Sequence, residues 1–257
     1  LRYNSRPFAG FKAACHCYRQ GLAVQHCKAG TRAVSNTQAI ENIRKFGIFM
    51  KTLGAKKVLI LISTLFIAAF ASYSQAQGNA SAGESKAMMC GACHGPTGNS
   101  TLGENPKLAG QNAKYLIKQM QDIKSGARNV VMMTGLLNNS NDQDIADIAA
   151  FYAAQETSLE GADPELVELG ESIYRSGITS LSVTACTACH SPTGKGNDQA
   201  GFPALGGQHV AYTVAQLKAF RSGERNNDGN AMPMRIVSER LTDREIEALA
   251  SYLSGLN

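Results

Sequence analysis

The sequence predicts an all-α protein built from two tandem copies of one helical unit of roughly 90 residues. Three observations lead there. The pattern Cys90-Gly91-Ala92-Cys93-His94 returns as Cys186-Thr187-Ala188-Cys189-His190. A run of matched residues follows each copy: Pro106-Lys107-Leu108-Ala109-Gly110-Gln111 pairs with Pro203-Ala204-Leu205-Gly206-Gly207-Gln208. Both copies then end in a segment with apolar residues at i, i+3, i+4 and i+7, the face of an amphipathic helix, and no segment shows convincing strand alternation.

Charge divides the 257-residue chain. Residues 1–76 hold 11 Lys/Arg and one acid, Glu41, whereas residues 77–257 hold 14 Lys/Arg and 19 acids. A mildly acidic body gives no electrostatic support for binding nucleic acid. Within the leader, Met50 opens an export signal. Lys51, Lys56 and Lys57 are its basic region, Val58–Ala71 its apolar run, and Ser74-Gln75-Ala76 a small-x-small cleavage site. A retained anchor is the alternative, but the run is short of the ~20 residues a spanning helix needs. An export signal works at an N-terminus, so residues 1–49 are expected to be an over-extended gene start outside the fold. The Cys15-His16-Cys17 spacing in that stretch does not suit a zinc site. The expected organisation is therefore 1–49 preamble, 50–76 signal peptide, 77–160 first domain and 161–257 second domain.

The elements of the body follow in order. Residues 80–90 form a helix running into the first motif. Residues 113–124 form a second, stopped by Gly126. The third runs from about Asp142 to Ala154 and carries Ile145, Ile148, Ala149 and Tyr152 on one face. Its copy carries Ile246, Leu249, Ala250 and Leu253, and Thr242-x-x-Glu245 is a capping box. Tyr115 matches Tyr212, Gln119 matches Gln216, and Ser125–Asn129 matches Ser222–Asn226. The second copy then gains about four residues near Asn227–Asn230.

C-x-x-C-H is the attachment sequence of c-type haem. Its two thiols form thioethers with the vinyl groups on one porphyrin edge, and the adjacent His lies beneath the iron. A thioredoxin-like pair needs no His, and a disulfide explains neither the His nor the duplication. The motifs therefore predict two covalent haems, attached at Cys90, Cys93, Cys186 and Cys189, with His94 and His190 as proximal ligands. The carbonyls of Pro106 and Pro203 are candidate acceptors for the second ring nitrogen of each His. Units this small bury a marginal core, and haem supplies apolar bulk.

His94 is the only histidine of the first unit, so bis-His ligation is excluded there. Met133 and Met234 each stand nine residues before the Asp that opens the last helix, Asp142 or Asp243. That shared register selects them as sixth ligands, with Met132 and Met232 as alternatives. Met88, Met89 and Met120 lie in expected helices and are read as packing residues. His209, which replaces Asn112 of the first copy, is placed at a helix start or domain interface. Arg128 and Arg225 suit haem carboxylates, but exposed arginines are common and both stay outside the ligand set.

These stretches, with Gly201–His209 and Asn227-Asp228-Gly229 before Met232-Pro233-Met234, resemble the cytochrome c4 family over residues 81–257. The resemblance implies two cytochrome c-like domains facing each other across a pseudo-twofold interface, with ligand pairs His94/Met133 and His190/Met234. It also implies a periplasmic electron carrier without enzymatic activity. A membrane complex would donate the electrons, a terminal oxidase would receive them, and membrane association would be loose. The alternatives are a cytochrome subunit serving a flavoprotein dehydrogenase and a dihaem enzyme such as a peroxidase. The latter needs an open iron position, which two matched Met candidates argue against.

Overall fold

The computed structural model describes residues 78–257, together with Glu41 and Arg44. The expected preamble 1–49 and signal peptide 50–76 lie outside the described residues of the body. No helix among the described residues is long and apolar enough to cross a membrane.

The first unit comprises α1 (Ala80–Lys86), α2 (Met88–His94), α3 (Ala113–Ser125), a 3-10 turn (Val131–Met133) and α4 (Asp142–Ala153). The second comprises α5 (Val167–Ser176), a 3-10 turn (Thr179–Leu181), α6 (Thr187–His190), α7 (Val210–Ser222), α8 (Pro233–Ser238) and α9 (Asp243–Gly255). Two isolated bridges, Ile178 with Val183 and Asn197 with Phe202, are the only β pairing among the described residues.

Local chemistry accounts for the helix ends. Gly126 and Gly223 stop α3 and α7 in the left-handed conformation that glycine adopts without penalty. Thr242 and Glu245 form the expected capping box on α9, and Asn141 with Asp144 forms its counterpart on α4. The expected helix 80–90 is divided. The chain turns at Ala87 (φ −81°, ψ −7°), and the motif forms its own short helix. In the second unit the division is wider, since Gly177–Cys186 separates α5 from α6.

In each unit the first helix crosses the last. Ile145, Ile148, Ala149 and Tyr152 of α4 are buried, as are Ile246, Leu249, Ala250 and Leu253 of α9. Burying each large apolar side chain contributes about 1.5–3 kcal/mol. Glycine makes the crossing possible. A Cβ on Gly83 would lie 2.0 Å from the Asp147 carbonyl oxygen, and one on Gly170 would lie 2.1 Å from that of Ala248. Beneath the first crossing, buried Asp147 accepts from the Asn79 N–H (2.8 Å), Lys86 Nζ (2.6 Å) and Gln143 Nε2 (2.7 Å). These donors, the Asn79 amide foremost, pull its carboxyl down to about 2.

The connection between the units is tied to both. The Glu160 N–H donates to the Ser254 carbonyl (3.0 Å), and the Glu160 carboxylate meets Lys107 Nζ (3.0 Å) and His209 Nδ1 (2.6 Å). His209 sits just before α7, and its Nε2 lies 3.0 Å from the Ser100 carbonyl of the first unit. It thus occupies both expected places, a helix start and the interface.

Candidate functional site

Helix α2 carries Cys90, Cys93 and His94, and α6 carries Cys189 and His190 with Cys186 at its N-cap. Cys90 and Cys186 are half-buried, and Cys93 and Cys189 are exposed. Cys90 packs among Ala87, Leu116, Ile148, Ala149, Phe151 and Tyr152. Burial pushes the Cys90 thiol up and that of Cys186 to about 11. A thiol-exchange site requires the opposite shift. Burial thus disfavours the thiolate at Cys90 and Cys186, the reverse of the shift that activates a thioredoxin-like dithiol.

His94 and His190 close their helices and are buried. Their Nδ1 atoms lie 2.9 Å from the Pro106 oxygen and 3.0 Å from the Pro203 oxygen. A carbonyl only accepts, so Nδ1 carries the proton and the Nε2 lone pair is left free. Burial lowers both imidazoles and favours this neutral form, partly opposed by the carbonyl bond. Neither Nε2 makes a hydrogen bond among the described residues. The expected proline acceptors are thus in place, and a neutral, oriented imidazole is what iron ligation requires.

The four methionine candidates separate by burial. Met133 and Met234 are half-buried, whereas Met132 is 83% and Met232 41% exposed. Met133 ends the 3-10 turn and lines a cavity with Arg128, Asn129 and Leu137. Met234 lies in α8, where its N–H donates to Asp228 Oδ2 (3.1 Å) and Arg235 Nε donates to Asp228 Oδ1 (2.7 Å). The first loop lacks that acid–base brace because its register positions are uncharged. Met120 packs in the core as expected, but Met88 (76%) and Met89 (73%) are exposed. The turn at Ala87 aims them away from the crossing helix, which corrects their reading as packing residues.

Two groups across the interface escaped the residue-by-residue reading. In the first, Arg128 donates to Gln119 (3.0 Å), Tyr212 (3.0 Å) and Gln216 (3.1 Å). Arg225 donates to Gln216 (2.8 Å), Tyr115 (2.9 Å) and Gln119 (3.1 Å). Both arginines are half-buried rather than exposed, and these acceptors are neutral. Burial alone would raise the Tyr115 phenol, but the Arg225 and Arg128 charges bring it below its ordinary value. The Asp122 carboxylate is close enough to act on Arg128 as well. In the second group, Gln111 holds Ala204 and Gln208 holds Lys107 by paired backbone bonds of 2.8–3.0 Å. Polar residues repeated in both copies without a role inside one copy were the available signal.

The fold and these motifs define a c-type cytochrome with its unit duplicated. The family model described as cytochrome c matches residues 80–154 and 169–257. The chain is 48% identical to cytochrome c4 of Azotobacter vinelandii over 211 residues, covering 79% of this chain and 99% of that protein. It superposes on the structure of reduced recombinant cytochrome c4 from Pseudomonas stutzeri with a TM-score of 0.69 at 51% identity, covering 70% of this chain and 100% of that one. It is also 33% identical to a thiosulfate dehydrogenase electron acceptor of Stutzerimonas stutzeri over 174 residues, 66% of this chain and 80% of that protein. The chain belongs to the cytochrome c4 family. It is a dihaem electron-transfer cytochrome carrying two covalent haem c groups, and it works with redox partners.

Proposed function

We propose that this chain is a periplasmic electron shuttle that performs no substrate chemistry and feeds a terminal oxidase from a membrane donor complex. Its domains would be 77–160 and 161–257. Haem, when bound, supplies a one-electron iron couple. Cys90 and Cys93, and Cys186 and Cys189, hold the porphyrin edges. His94 and His190 would present Nε2 to the metal, with Nδ1 held by Pro106 and Pro203. Met133 and Met234 offer soft thioethers, which favour the reduced state and suit delivery to an oxidase. Arg128 and Arg225 would be available to pair with haem carboxylates. The observation that carries this reading is that each unit holds a histidine braced at Nδ1 by a proline carbonyl and a half-buried methionine at one shared register. A site closed on both sides binds no peroxide and no sulfur substrate. The export signal at 50–76 supports the periplasmic placement.

A second reading has a specific support. The similarity to a thiosulfate dehydrogenase electron acceptor favours a carrier that drains a dehydrogenase before delivering its electrons elsewhere. It uses the same site and differs only in the donor.

Carbon monoxide added to the reduced protein tests the closed sites. The native protein should bind none rapidly. Met133→Ala should open one haem and Met234→Ala the other, each gaining one equivalent of carbon monoxide with a lowered potential. Rapid stoichiometric binding by the unmodified protein, or sustained peroxide turnover, would move the assignment to an enzyme. The intact mass of the exported protein should show two haems and a start near Gln77.

A further inference from the structure

The interface glutamines touch the one loop in each unit that braces the opposite histidine. Gln111 of the first unit accepts from the Ala204 N–H (2.8 Å) and donates Nε2 to the Ala204 carbonyl (2.9 Å). Ala204 directly follows Pro203, whose carbonyl accepts from His190. The neighbouring Asn112 donates Nδ2 to the carbonyl of Phe202, on the other side of Pro203, at 2.7 Å. Pro203 is thus pinned on both flanks by the first unit.

The arrangement is reciprocal. Gln208 accepts from the Lys107 N–H (2.9 Å) and donates to the Lys107 carbonyl (3.0 Å). Lys107 follows Pro106, the partner of His94. On the far flank, the Ser100 hydroxyl donates to the Asn105 carbonyl (2.6 Å) and lies 2.8 Å from His209 Nε2. Gln111 is buried and Gln208 half-buried. Each is also held at its own helix start, where its Oε1 accepts from the N–H of Asn112 (2.9 Å) or His209 (3.0 Å).

We propose that Gln111 and Gln208 are positioning residues acting across the interface, each setting the redox poise of the haem in the opposite unit. The physical link is short. The proline carbonyl shares one planar peptide unit with the N–H of the next residue, so holding the Ala204 or Lys107 N–H orients it. The bond from a ligating histidine to that carbonyl makes the imidazole a stronger donor, which favours ferric iron. Loosening the Ala204 clamp weakens the brace on His190 and raises the potential of the second haem. Loosening the Lys107 clamp does the same, through His94, to the first. The inference rests on His94 and His190 being the proximal ligands.

The test is a spectroelectrochemical titration of the full dihaem protein, with each haem identified by its axial-methionine methyl resonance in the reduced state. Gln111→Met keeps the volume and removes both bonds to Ala204, together with the local bond from the Asn112 N–H. It should shift the second haem toward the reduced form by about tenfold in its equilibrium constant, about 59 mV for one electron, and leave the first unchanged. Gln208→Met should mirror it. Gln111→Glu, which keeps the acceptor and loses the donor, should shift the second haem less. Lys114→Ala removes a different cross-unit bond, from Lys114 Nζ to the Gln199 carbonyl (2.8 Å), and should move neither haem. A shift confined to the mutated unit, an equal shift of both haems, or no shift with ligation intact would overturn the proposal. A His190→Ala variant that kept its low-spin spectrum would instead overturn the ligand assignment.

Discussion

Gly83→Ala should destabilise the first unit by about 2 kcal/mol net, a figure set by the crossing of α1 and α4. The new Cβ would lie 2.0 Å from the Asp147 oxygen, 2.6 Å from its carbonyl carbon and 2.8 Å from Phe151 Cβ. Real Cβ contacts are essentially never closer than 3.0 Å, so the helices must part by about 1 Å. The first obstacle is backbone, which has no rotamer to escape into. The cost therefore sits near the upper end of the ~1–3 kcal/mol of an overpacked core. Alanine returns roughly 0.5–1 kcal/mol through helix propensity, which leaves about 2 kcal/mol. Parting the helices also carries the Asn79 amide and Lys86 away from buried Asp147. With a urea slope of about 2 kcal/mol/M the unfolding midpoint should fall by about 1 M. Urea denaturation followed by circular dichroism and by the haem absorption band of each unit is the assay. Gly170→Ala should weaken the second unit in the same way. A Gly83→Ala midpoint equal to that of the native protein would show that the crossing has slack, and the reasoning from the close approach would fail.

Other outcomes follow from buried polar groups. The folded carboxyl of Asp147 lies at about 2, below the unfolded value of 3.8, so its contribution is present above about pH 4 and is lost as pH falls toward 2. Asp147→Asn should lower the melting temperature at pH 7 and flatten its fall in acid; an unchanged acid limb would refute this. Ser238 Oγ is buried without a hydrogen-bond partner among the described residues, at a register where the first unit carries buried Leu137. Ser238→Ala should raise stability by about 1 kcal/mol in thermal unfolding, and a loss would point to an unrecognised partner for the hydroxyl.

Much of the helical framework was legible because it depends on near neighbours in sequence. Gly126 stops α3 and Thr242 caps α9 through contacts within a few residues. The apolar face of α4 follows from a period of 3.6. The acceptor role of Pro106 and Pro203 was readable because a ligating histidine needs a partner for its second nitrogen. Other features were closed to that approach. Gly83 and Gly170 look like ordinary helix residues until the crossing partner is known. The turn at Ala87 exposes Met88 and Met89, whereas an unbroken helix pattern placed them inward. Arg128 and Arg225 were set aside as exposed because their acceptors, Tyr212 and Tyr115, belong to the other copy.

The sequence by itself determined the covalent chemistry: two C-x-x-C-H motifs, their histidines, and the duplication that sets them in two helical units. That chemistry is local, since the two thiols and the histidine proposed to hold each haem lie within five residues. The tertiary structure alone decided how the copies meet. Gln111 reaching Ala204, Gln208 reaching Lys107, and the arginines crossing to the opposite tyrosines join residues about a hundred positions apart. No periodicity or spacing encodes such pairs, because they depend on which faces of two folded units are left to be buried together.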